Sequence, residues 1–97
     1  MSYAYQNERA ALFTEEGQRW VLAIRDRAFA LLDVSGAVSM HKLLLVHGGP
    51  PCSWTALACV DRLVEIGDLR EITGTTTWGQ HRVFVAARAR PSFEVTP

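Results

Sequence analysis

Cysteine is scarce in this 97-residue chain: Cys52 and Cys59 are the only two, too few for a disulfide framework. Their separation of seven matches no common metal knuckle, and His41, His47 and His81 supply no HxxxH to complete a site, so both thiols read as structural and no metal is expected. Excess charge is lacking too. Ten Lys plus Arg balance ten Asp plus Glu, so no overall field draws the molecule to nucleic acid or an acidic membrane, and any nucleic-acid contact has to come from a local patch. No apolar run approaches the roughly 18 residues of a membrane span. The opening "MSYAYQNER" lacks a basic stretch followed by an apolar one, so a cytoplasmic protein without membrane contact is the expectation. GxSxG, HExxH, P-loop and GxGxxG patterns are all missing, and His41 and His47, six apart, point in different directions. Neither an enzyme nor a cofactor is expected, and nothing in the sequence marks an effector pocket.

What is present is apolar. A hydrophobic content of 48% suffices for one small core, and no internal repeat divides the chain. Residues 1–13, with Tyr3, Tyr5, Leu12 and Phe13, form either a short helix or an arm. Residues 14–87 form the domain and residues 88–97 a tail. Thr14 followed by Glu15 and Glu16 starts a helix, because the hydroxyl accepts an orphan amide and the carboxylates suit the positive end of the dipole. The helix runs to about Val34 and stops at Ser35-Gly36. Trp20, Val21, Ile24, Ala28, Leu31 and Leu32 fall on one arc of it, the expected core face. Leu22 and Phe29 fall outside that arc. Three readings stay open for them: cover by the N-terminal arm, a homodimer interface, or plain exposure.

Ser39 can cap a shorter helix over 40–47, stopped by Gly48-Gly49, and Pro50-Pro51 then forces a turn. Ser53 caps a further helix that ends at Gly67, a suitable left-handed residue. "DLREIT" and "HRVFVAAR" read as two strands of a hairpin, joined by a loop over 74–80 with two glycines and three threonines.

The order helix, helix, turn, helix, hairpin, carried by "ALACVDRLVEIGDLREI" and "RVFVAA", resembles the winged helix-turn-helix of MarR- and ArsR-type regulators over residues 38–87. The resemblance implies a small α+β winged-helix domain, a three-helix core plus a two-stranded β-hairpin wing, that binds double-stranded DNA in transcription regulation, commonly as a dimer. The Gly-Gly-Pro-Pro connection is longer than the turn of a typical helix-turn-helix.

If the resemblance holds, the helix from Ser53 enters the groove. Its core arc gathers Ala56, Leu57, Cys59, Val60, Leu63, Val64 and Ile66, and its outward face shows Trp54, Thr55, Ala58, Asp61, Arg62 and Glu65. Arg62 is the candidate to read guanine, Thr55 a base edge or phosphate, and Ala58 a thymine methyl, against two opposing carboxylates. In the wing, Thr75, Thr76, Thr77, Gln80, His81 and Arg82 are candidates for phosphate contact. Lys42 and Arg70 would extend a basic stripe. Trp54 and Trp78 offer an alternative, a patch for a protein partner on a winged-helix module that does not bind DNA, since Trp is enriched at binding hot spots. Trp54 packed on the Pro50-Pro51 turn and Trp78 folded back on its strand are the structural readings of the same pair.

Overall fold

A computed structural model describes residues 3–74 and 81–87. The long helix α2 (Glu15–Ser35) starts where Thr14 accepts the Gly17 amide at 2.9 Å through its hydroxyl. It ends at Gly36, whose φ of 78° is open to glycine and whose amide returns to the Leu32 carbonyl. Ahead of it lie a single-turn helix α1 (Tyr5–Glu8) and a 3-10 turn, Arg9–Phe13. The second long helix, α3 (Ser53–Glu65), closes in a Schellman arrangement: Asp68 N–H donates to the Leu63 carbonyl, Gly67 N–H to that of Val64, and Gly67 has φ 88°.

Strands β1 (Val38–Ser39), β2 (Leu69–Glu71) and β3 (Val83–Ala86) form one antiparallel sheet in the order β1-β3-β2. Phe84 is opposite Val38 on one side and Glu71 on the other, and its ring is fully buried. The described residues therefore make a small α+β unit of three helices on a three-stranded sheet. The expected two-stranded hairpin has gained a third strand, because two residues after the α2 glycine are enough to pair with β3.

That pairing also corrects the helix expected over 40–47. Only a 3-10 turn forms, Met40–Leu43, and the Ser39 side chain caps nothing. The Met40 amide continues the ladder to the Arg82 carbonyl at 2.7 Å, so the first turn starts from a backbone already held to β3, and the eight residues before Gly48 are too few to sustain a helix without packing of their own. Ser53 proves to be the first residue of its helix, with Cys52 at the cap position and no side-chain cap bond.

One core unites the elements. Leu12, Ile24, Met40, Leu43, Leu63, Leu69 and Phe84 are all fully buried, each contributing about 1.5–3 kcal/mol by removal of apolar surface from water. Val21, Ile24, Ala28 and Leu32 are the buried face of α2, with Trp20 and Leu31 half-covered at its border, as the periodicity predicts.

Candidate functional site

Helix α3 is buried on more than one face. Ala56 through Val60 are five consecutive buried residues, which one packing partner cannot produce. The core covers one side, and α1 with the 3-10 turn after it lies against another. This places Ala58, expected outward, fully out of solvent, and it leaves Ile66, expected inward, exposed.

The contact between the N-terminal segment and α3 is built from four side chains on each element. Tyr3 donates its hydroxyl to Asp61 Oδ2 at 2.5 Å, and Tyr5 donates to Glu65 Oε1 at 2.7 Å. The spacing fits: two residues across the extended Ala4 cover about 6.6 Å, and four residues along α3 about 6 Å. Arg9 pairs with Glu65 at 3.1 Å and Arg62 pairs with the same carboxylate at 2.8 Å. Between the two guanidiniums sits the Phe13 ring, 4.8 Å from one and 4.9 Å from the other. Trp54 meets Tyr3 edge-on, ring centroids 6.5 Å apart, rather than resting in isolation.

The electrostatics follow from these partners. Hydrogen bonds from Tyr5, then Arg62 and Arg9, hold the Glu65 carboxyl at about 2, well below its ordinary 4.5. Burial, then the bond to Asp61, pushes the Tyr3 phenol up, and burial followed by the bond to Glu65 raises Tyr5.

Beside this patch Arg82 bridges α3 to the sheet. It donates to Asp61 Oδ1 at 2.6 Å, and to Glu71 at 2.8 Å through the same nitrogen and at 3.0 Å through Nε. Its side chain is only 14% exposed. Burial alone would lower the guanidinium pKa, but the bonds to Glu71 and Asp61 outweigh it and raise it. The same contact holds Glu71 below the usual carboxylate range. Arg82 is thus committed within the chain, not presented at its surface.

The other candidates scatter. Thr55 is half-buried, its hydroxyl 3.2 Å from the Cys52 sulfur, and that contact lowers the Cys52 thiol. His81 is exposed. Thr75, Thr76, Thr77, Gln80 and Trp78 lie outside the described residues, and so does any patch joining Trp54 to Trp78. Leu22 is 56% exposed, whereas Phe29 packs against the core with the Arg25 guanidinium 4.5 Å over its ring. The described N-terminal residues lie on α3 and meet α2 at Gly17 and Gln18, away from both. Cys59 is buried, and that burial alone pushes its thiol up to about 12. Among the described residues no group of His, Cys, Asp or Glu is placed to hold a metal, and no helix is long and apolar enough to cross a membrane.

The sequence reading leaves out the role of Tyr3, Tyr5, Arg9 and Phe13 on α3. The available signal was the pairing of two tyrosines at spacing two with two carboxylates at spacing four. No family model, curated protein or solved structure matches this chain.

Proposed function

We propose that this chain is a winged-helix module that binds protein through the outward face of α3. The observation that carries the reading is the occupant of that face, a peptide segment both aromatic and basic, whose Tyr3, Tyr5, Arg9 and Phe13 fit Asp61, Arg62 and Glu65. A face that takes such a segment in cis has the chemistry to take one in trans. Aromatic and arginine anchors over paired carboxylates are the groups that dominate protein–protein contacts. The winged-helix part of the reading draws on element order: long helix, short strand, helical turn, helix, then two strands paired antiparallel. The partner is a peptide with tyrosines two apart followed by arginine and phenylalanine.

DNA binding in transcription regulation is the second reading. It is favoured by Arg27, Lys42 and Arg70, which have no carboxylate partner among the described residues and are open to phosphate. For α3 to read bases, residues 3–13 must first leave it, since Ala58 is buried and Arg62 and Trp54 are engaged.

One experiment separates the two. A labelled peptide of residues 1–15 is titrated into the full-length chain and into a Tyr3→Ala/Tyr5→Ala variant, and labelled duplex DNA into both across a salt series. Saturable peptide binding, tighter to the variant, with no DNA binding at low salt, is the expected result. DNA binding that weakens steeply with salt, stronger in the variant, would replace it with the regulator reading.

A further inference from the structure

The junction of α2 with the turn after the sheet's first strand holds a cavity of about 330 Å³. Its lining divides evenly. Arg27, Lys42 and His47 supply the polar half, and Ala23, Leu45 and Val46 the apolar half. No carboxylate lines it, and none of the three polar residues has an ion-pair or hydrogen-bond partner among the described residues. Arg9, Arg25, Arg62 and Arg82, by contrast, each meet a carboxylate within 3.1 Å. Arg27 and Lys42 are two basic side chains lining one concavity without a carboxylate.

The wall is fixed in place by backbone. The Gly49 amide closes a turn on the Val46 carbonyl at 2.8 Å, and Gly48, at φ 81°, brings the chain so near α2 that an added Cβ would lie 3.8 Å from that of Ala23. Leu45 stands at the rim 94% exposed. A leucine left this open gains burial from any apolar group that enters beside it.

We infer that this cavity is a binding site for a small phosphate monoester carrying an apolar substituent. The phosphate dianion lies between the Arg27 guanidinium, whose planar fork suits it, and the Lys42 ammonium, with His47 as a further hydrogen-bond partner. The substituent lies against Ala23, Leu45 and Val46. The volume is at the lower end of small-ligand sites, enough for a phosphate and a ring and far too small for a folded partner. The site is separate from the α3 face, and it shares Arg27 and Lys42 with the DNA reading, which the duplex in the test below distinguishes from it.

The test is amide-resolved NMR titration of the full-length chain with phenyl phosphate, inorganic phosphate, phenol and a short DNA duplex, repeated on Arg27→Gln and Lys42→Met. Neither substitution removes a hydrogen bond or ion pair among the described residues, so melting temperatures should stay level. Saturable shifts at Ala23, Val46 and His47 with phenyl phosphate are expected, weaker with inorganic phosphate and absent with phenol. Either substitution should weaken binding roughly tenfold or more, the usual effect of losing a charge-assisted bond. Absent saturation, or equal affinity in both variants, overturns the site. So does a duplex that binds these residues more tightly than phenyl phosphate, which would make them contacts to a nucleic-acid backbone.

Discussion

At the scale of single residues, Arg82 carries the most. Asp61 and Glu71 come from different elements, and their side chains are 17% and 26% exposed, so without the guanidinium two largely desolvated carboxylates would keep only the Tyr3 and Thr73 hydroxyls and lose their counter-charge. Arg82→Ala should cost about 2–4 kcal/mol in urea unfolding. Arg62→Ala, which removes a pair nearer the surface, should cost about 0–1 kcal/mol. Glu65 sets the acid limit. A carboxyl held at about 2 in the folded chain and near 4.5 when free stabilises the fold above pH 4.5, and that contribution fades as the pH falls towards 2. Glu71 is shifted in the same direction and adds to the effect. Melting temperature should therefore hold level through neutral pH and fall below about pH 4.5. Glu65→Gln should lower it at neutral pH and flatten the acid limb, both read by circular dichroism.

At the scale of elements, the approach of α2 to the turn before it depends on one glycine. A Cβ on Gly17 would lie 2.3 Å from the Ala11 carbonyl oxygen and 2.6 Å from the Leu12 Cα, both backbone atoms that cannot swing aside. Gly17→Ala should cost about 1–3 kcal/mol despite its better helix propensity, and thermal unfolding would show it. The tyrosine contacts predict a different signature. Tyr3→Phe with Tyr5→Phe removes two bonds to carboxylates and should raise hydrogen exchange in residues 3–13 while α2 keeps its protection.

At the scale of the whole molecule, Leu12 joins the N-terminal segment to the common core, so urea unfolding should be a single transition whether followed by tryptophan fluorescence or by amide signals of residues 3–13. The sequence was legible where structure is decided locally. Thr14, Gly36 and Gly67 marked their helix ends correctly because capping is settled within a few residues. The short helix expected over 40–47 failed because Val38 and Ser39 answer to a strand more than forty positions away. The site was less legible still. A helical wheel sorts α3 into inward and outward faces, but it has no means of showing that Tyr3 and Tyr5 return to cover the outward one. Nor can it show that Arg82 turns inward to meet Asp61, 21 positions earlier.

The docking of the tyrosines has a consequence in time. Tyr3 and Asp61 are 58 positions apart, so the segment is synthesised long before its partner. At about 5–20 residues per second the wait is roughly 3–12 s. During that interval α2 is on hand for the 3-10 turn, but Tyr3 and Tyr5 have no carboxylates to meet and are open to chaperones. The segment is first out, and the docking of its tyrosines waits on the completion of α3.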